Sequence, residues 1–271
     1  MIVHSYLHSN DGGGLGDFLR GSLACHQLCG RYNIPYAIDF SKHSIGNYLI
    51  PSHNTDISSF REHECRNVGG QTVAGLRFHL MRMYKLSSLS RNENNCCIYT
   101  NTYPTFPIRE ATRQFTREAL VPNQTLSALL PVIDHEYEVI HIRAGDLISF
   151  NAHICFIVDI TKDDLIKAII KDVQKIVATA IHPVIIMSDS VELKNTLAEE
   201  CGVLQTQTTP QHLTFESASA VDTLIDYFTL SKARKIHQFS VHPWGSGFSD
   251  TVNWIYGVPL QRYTLDQISS D

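Results

Sequence analysis

The sequence predicts an α/β protein of two domains, each a parallel sheet with flanking helices. Three observations predict it. Short apolar runs alternate with helical stretches along most of the chain, the pattern of strand–helix–strand layers. The chain has 271 residues, long for one domain and comfortable for two small ones. The polar and glycine-rich clusters fall just after apolar runs, and open parallel sheets bind ligands at that carboxyl edge.

The elements follow in order. Ile2 to Leu7 reads as a first strand, followed by the turn Asp11-Gly12-Gly13-Gly14-Leu15-Gly16-Asp17. Phe18 to Tyr32 has Phe18, Leu19, Leu23, Ala24 and Leu28 near helical spacing. Pro35 to Asp39 reads as a second strand. Ser41 to Arg117 mixes Asn, Ser and His with short apolar runs; within it Cys96 to Tyr99 reads as a strand, and a helix is expected from Ile108 to Leu120. Val121-Pro122 and Pro131 mark the boundary, giving domains of residues 1–130 and 131–271. In the second domain Glu138 to Arg143, Pro183 to Met187 and Lys235 to Val241 read as buried strands. Helices are expected over Lys162 to Ala180, Val191 to Cys201 (with Gly202 as its stop), Asp222 to Ala233 and Asp250 to Tyr256.

Composition excludes several classes. A net charge of -5 argues against a nucleic-acid surface, which carries a basic excess. No apolar run approaches the roughly 18 residues of a membrane span, and no signal peptide is visible before the first strand. The seven cysteines form no CxxC pair and no zinc spacing, so reduced thiols, a cytoplasmic location and no metal site are expected. Hydrophobic residues make up 43%, enough for a core that needs no disulfide.

Four clusters can carry chemistry. Gly12-Gly13-Gly14-Leu15-Gly16 stands between a strand and a helix, where backbone N–H groups and the helix dipole suit an anion. It is neither a Walker A loop nor a clean GxGxxG, and a plain tight turn explains it equally well. His141-x-Arg143-x-Gly145-Asp146 puts a guanidinium at a strand end, where its fork can hold a diphosphate and offset charge on a leaving group. Asp146 can fix the arginine or the turn; the plainer alternative is a surface ion pair. For His141 a ring satisfied by a polar neighbour is the stronger reading. Ser188-Asp189-Ser190 suits a ribose or base edge, and equally a helix cap. Ser246-Gly247-Phe248-Ser249 is a second glycine turn before a helix. Asp222 and Asp226 lie one helical turn apart, Asp222 reading as solvated.

In this order the clusters resemble the GT-B fucosyltransferases, a group including α1,6- and α1,2-fucosyltransferases, nodulation fucosyltransferases and protein O-fucosyltransferases. Gly13-Gly14-Leu15-Gly16-Asp17 resembles the group's GGLGN, with Asp17 in place of its Asn. His141-Ile142-Arg143-Ala144-Gly145-Asp146 resembles its HxRxGD peptide. Asp226 to Ala233 is similar to its D-x-x-x-L-S-x-A stretch, and Ser246 to Ser249 to the serine–phenylalanine turn that follows. Pro243-Trp244-Gly245 lengthens the gap before that turn.

The resemblance implies a GT-B fold, two Rossmann-like domains facing across a cleft. The first domain would serve the acceptor and the second the sugar-nucleotide donor. It implies a GDP-fucose donor, a glycan hydroxyl acceptor, inversion at the anomeric carbon, and no metal or other cofactor. Arg143 would hold the diphosphate, Gly13, Gly14, Leu15 and Gly16 would lie against the donor, Asp226 would pair with the base, and Ser246 or Ser249 would donate to a phosphate. Asp17 and Asp39 are candidates for a general base because both follow N-terminal strands. Two other readings stand beside it: a UDP- or other GDP-sugar as donor, and a non-catalytic nucleotide-sugar binder. A dinucleotide oxidoreductase fits less well, since the turn lacks the glycine spacing even though Asp39 ends the second strand.

Overall fold

A computed structural model of the chain describes residues 1–6, 13–51, 66–68, 71–84, 96–144, 161–209 and 220–264. They divide into two compact units, one built on Met1–Leu129 and the other on most of the later chain.

The first unit carries β1 (Ile2–Ser5), α1 (Leu15–Tyr32), β2 (Tyr36–Asp39), β3 (Arg66–Asn67), α2 (Val73–Tyr84), β4 (Cys96–Tyr99), α3 (Glu110–Ala119) and α4 (Gln124–Leu129). Its four strands are parallel in the order β2-β1-β4-β3. The apolar stripe of α1 decides its packing: Ala24, Cys25 and Leu28 bury against Ile2 and Ile98 of the sheet, joined by Leu76 and Leu80 of α2. Asn33, in the left-handed region at φ 52°, ends the helix.

Gly21 lets α1 approach the sheet edge. A Cβ there would sit 1.8 Å from the Thr100 carbonyl oxygen. Gly21→Ala is therefore expected to destabilise the first unit by about 1–3 kcal/mol or more through overpacking. Gly30, on the same helix with nothing near its missing Cβ, should accept alanine at no cost. Urea unfolding of the two variants checks this.

The second unit carries β5 (Glu138–Arg143), α5 (Lys162–Thr179), β6 (Val184–Ser188), α6 (Val191–Cys201), β7 (Leu204–Gln205), α7 (Ala220–Ser231), β8 (Lys235–Ser240), the N-terminal part of α8 (Gly247–Tyr256) and β9 (Leu260–Thr264). All five strands are parallel, in the order β7-β6-β5-β8-β9. Ile140, Ile142 and Phe239 face a core shared with Leu165, Ile169 and Val173 of α5 and Leu193 and Leu197 of α6. Strand alternation turns His141 and Arg143 to the opposite face.

The second sheet reverses its winding once. It winds outward from β5 through β6 to β7, then returns to the other side of β5 for β8 and β9. The reversal opens a crevice between the carboxyl ends of β5 and β8, where doubly wound sheets take their ligands. In the first sheet the chain goes from β1 to β2, crosses to the far edge at β3 and steps back to β4 beside β1.

Two Rossmann-like units agree with the expected α/β class. The boundaries differ in detail: α8 begins at Gly247, three residues before the expected Asp250, so Ser246 is its cap and Gly247, Phe248 and Ser249 are its first turn. The short β3 and β7, the edge strand β9 and helices α2 and α4 were not foreseen. Cys25, Cys29, Cys96, Cys97 and Cys201 carry free thiols. No helix among the described residues is long and apolar enough to cross a membrane.

Candidate functional site

At the crevice of the second unit, Arg143 ends β5 opposite Ser240 of β8. Its guanidinium pairs with Asp189, just beyond β6, and the other oxygen of Asp189 accepts the Ala144 N–H at 3.0 Å. The side chains of the pair are 24% and 22% exposed, leaving both within reach of a ligand. Asp189 is thus the residue that orients the arginine. Asp146, expected in that role, lies outside the described residues, as do Asp11, Gly12 and Gly145. A guanidinium has five N–H donors, more than one carboxylate can engage.

The first turn of α8 faces the same crevice. Helix geometry gives the N–H groups of Gly247, Phe248 and Ser249 no intrahelical acceptor. Ser246, at the cap, makes no side-chain hydrogen bond to them. A buried polar network fixes this turn. The Gln238 amide of β8 donates to Ser249 Oγ at 2.7 Å and to Asp250 Oδ1 at 2.8 Å, with the Ser246 carbonyl at 3.2 Å. Carboxylate and carbonyl oxygens only accept, so the nitrogen of Gln238 must point this way. Ser249 Oγ also hydrogen-bonds His141 Nδ1, 2.9 Å away, in the direction that the imidazole tautomer sets. Burial first, and then the Arg143 charge, push the His141 pKa down to about 4 against the pull of Asp189, so the ring is neutral at pH 7.

Asp250 would oppose an anion at this helix end, since its carboxylate sits in the first turn. Arg262 of β9 neutralises it at 2.9 Å. Gln238 is 1% exposed and its Oε1 has no partner among the described residues. Gly245 lies against that oxygen; a Cβ there would come within 2.5 Å, and its φ is +82°.

Ser188 and Ser190 are spent locally. Ser188 Oγ accepts the Ser190 N–H at 3.1 Å, and Ser190 Oγ caps α6 through the Leu193 N–H at 3.3 Å. Asp226 of α7 is buried, accepting from Thr208 Oγ1 at 2.8 Å. The Lys194 ammonium, held by the carbonyls of Thr206 and Thr208, lies nearby and is pushed down by burial while Asp226 and Asp222 pull it up. Burial lifts the Asp226 carboxyl from 3.8 to about 6, against the bonds from the threonines and the Lys194 charge.

In the first unit, Gly13 and Gly14 precede α1, and Leu15, Gly16 and Asp17 form its first turn. The Gly13 N–H donates to Tyr99 Oη at 2.8 Å, and Tyr6 Oη donates to the Gly13 carbonyl at 3.2 Å. Asp17 pairs with Arg20 at 2.8 Å and stays partly exposed. Arg20 is in turn held by the Asn101 carbonyl at 2.7 Å and lies 4.1 Å over the Tyr103 ring. Asp39 is different. One oxygen accepts from Ser5 at 2.6 Å, the other from the Ser41 N–H at 2.8 Å, and the residue is buried. That pins a strand end and leaves no oxygen to act as a base.

No protein-family model matches the chain, and no curated protein matches it by sequence. Solved structures do match. NodZ α-1,6-fucosyltransferase soaked with GDP-fucose aligns with 98% of this chain and 95% of its own, at TM-score 0.55 and 12% identity. A mutant of Arabidopsis thaliana FUT1 in complex with GDP aligns over 97% of this chain and 70% of its own, at TM-score 0.56 and 12% identity. Fucosyltransferase NodZ from Bradyrhizobium aligns over 93% and 91%, at TM-score 0.56 and 11% identity.

The chain has the GT-B fucosyltransferase fold. Within that fold the second unit brings together Arg143 and His141, Asp189, and the turn Ser246–Ser249, drawn from three places in the sequence. It does not bring Asp226 into that group: Asp226 joins Thr206, Thr208 and Lys194 beyond β7. Residues 238, 250 and 262 were missed. A glutamine within the buried run Lys235–Ser240 was the one available signal, since an amide there needs partners.

Gln238→Leu should loosen the first turn of α8 and remove one partner of Asp250. The expected loss is about 1–3 kcal/mol in stability, with weaker nucleoside-diphosphate binding. Urea unfolding and calorimetric titration of GDP measure the two effects.

Proposed function

We propose that the protein is a glycosyltransferase that takes a sugar, fucose foremost, from a GDP-sugar and inverts the anomeric carbon, with a glycan hydroxyl as acceptor. One observation carries the reading: Arg143, held by a part-buried pair with Asp189, and the uncapped amides of α8, held by a buried network, stand at the same crevice. A positive fork beside a helix N-terminus is suited to a diphosphate. That two of the similar solved structures were obtained with GDP or GDP-fucose supports the choice of nucleotide.

The chemistry follows from these charges. An acceptor oxygen forms a bond to the anomeric carbon as the bond from that carbon to the phosphate oxygen breaks. The electron pair leaves with the diphosphate. Arg143 and the amides of residues 247–249 stabilise that growing charge, the role a metal ion would otherwise fill. Neutral His141 stands beside Arg143 without repelling it. The acceptor proton needs a base, and Asp17 is the proposed one. Asp39 is withdrawn because both its oxygens are engaged, which also weakens the dinucleotide reading. Asp226 is proposed to take the guanine N1–H and amino group. The first unit is proposed as the acceptor side and the second as the donor side.

A thermal-shift series with GDP, UDP and CDP tests the reading. GDP should raise the melting temperature most, and GDP-fucose should be hydrolysed slowly without acceptor. A preference for UDP favours the other-donor reading. Binding of GDP with no turnover of any GDP-sugar favours a non-catalytic binder.

A further inference from the structure

The segment His242-Pro243-Trp244-Gly245 begins one residue, Val241, beyond the end of β8 and ends next to Ser246, the cap of α8. It is pinned at both ends. The His242 N–H donates to Ser240 Oγ at 3.1 Å, and the Gly245 N–H to the His242 carbonyl at 3.0 Å. The loop holds the Trp244 indole flat against the His242 ring, with centroids 5.0 Å apart and planes 13° from parallel. Trp244 is nevertheless 62% exposed.

Single exposed aliphatics such as Val132 or Ile181 are ordinary on a protein surface. Trp244 differs in three ways. Its ring is already stacked on His242, which narrows the rotamers a ligand has to freeze. Its place is the ligand-binding edge of the sheet, beside the proposed diphosphate turn. Its chemistry also matches one ligand class. A pyranose presents an apolar face of C–H groups and a rim of hydroxyls; an indole offers a flat face and one N–H donor. The buried Ser246 marks the inner end of the segment and Trp244 its outer rim. A donor sugar is tethered to its phosphate at the inner end, whereas an incoming glycan must lie across the rim.

We infer that Trp244, backed by His242, is the stacking platform for a pyranose ring of the acceptor. The inference rests on the glycosyltransferase reading above. The test is saturation-transfer NMR with the methyl glycosides of galactose, glucose, mannose and N-acetylglucosamine, each with GDP present, on wild type and Trp244→Ala. At least one glycoside should show transfer to its C–H face in wild type and lose it in the variant. Trp244→Phe should retain part of it. GDP affinity by calorimetry should stay within about twofold in both variants, while dissociation constants for the glycoside should rise about tenfold in Trp244→Ala, equivalent to ~1.4 kcal/mol.

Glycoside transfer unchanged in Trp244→Ala, or absent from wild type, would overturn the platform. Loss of GDP-fucose binding with GDP and glycoside binding intact would reassign the ring to the donor and overturn the acceptor assignment. The sequence has two tryptophans, so Trp254→Phe makes Trp244 emission a second reporter, expected to respond to the same glycoside. Failure of wild type to bind GDP would sink the donor reading, and the glycoside signal still judges the platform separately.

Discussion

Arg143→Ala is expected to lower turnover of GDP-fucose about a thousandfold while leaving the fold intact. Removing one donor aimed at developing charge typically costs about 10²–10³ in rate, and a cationic guanidinium on a leaving phosphate more. The side chain is only part-buried and its pair with Asp189 is partly solvated, so the loss should fall on kcat and spare the melting temperature. Arg143→Lys keeps the charge and loses the fork, so it should recover only part of the rate. Asp189→Asn should act in the same direction more weakly, because it frees the arginine without removing it. Steady-state rates of the three variants, with circular dichroism as the folding control, decide the order.

Asp226→Asn should produce the second large effect, a loss of guanine preference with GDP affinity down about a hundredfold. Guanine offers two adjacent donors, and a site built to accept them discriminates strongly when its carboxylate is removed. Acidity gives an independent check. Below about pH 4 the Asp226 carboxyl is protonated in both folded and unfolded chains. Between 3.8 and about 6 the unfolded chain ionises first, so stability falls as pH rises. Above pH 6 the penalty is complete, on the order of 3 kcal/mol from a two-unit shift. GDP binding runs the other way. It needs the ionised carboxylate, so affinity should fall as pH drops below about 6. Asp226→Asn should flatten both trends. Unfolding and calorimetric titrations at pH 4.5, 5.5 and 7 measure them.

Most of the scaffold was legible because its central strands are runs of β-branched residues. Val139-Ile140-His141-Ile142 and Val184-Ile185-Ile186-Met187 could hardly be anything but buried strands, and each ends where its polar cluster begins. Two-residue strands such as Arg66–Asn67 and Leu204–Gln205 are too short to show a period. The sequence Leu260–Thr264 mixes Gln and Arg into an edge strand, which has less need of apolar residues on both faces. The pairing of Arg143 with Asp189 joins two strand ends 46 residues apart. Nothing local announces it, since the register of β5 on β6 brings the residues together. The same holds for Gln238 and Arg262, whose work is to hold and neutralise a helix turn that was itself placed three residues late. Ser246 or Ser249 was expected to donate to a phosphate; the Ser249 hydroxyl hydrogen-bonds Gln238 and His141, so the backbone amides and Ser246 are the proposed donors.

A crystal structure of the protein with GDP is the most direct measurement. The account predicts a β-phosphate oxygen within about 3 Å of the Arg143 guanidinium and of an N–H among residues 247–249, with the base against Asp226. A diphosphate seated away from the carboxyl ends of β5 and β8, and out of reach of Arg143, would contradict it.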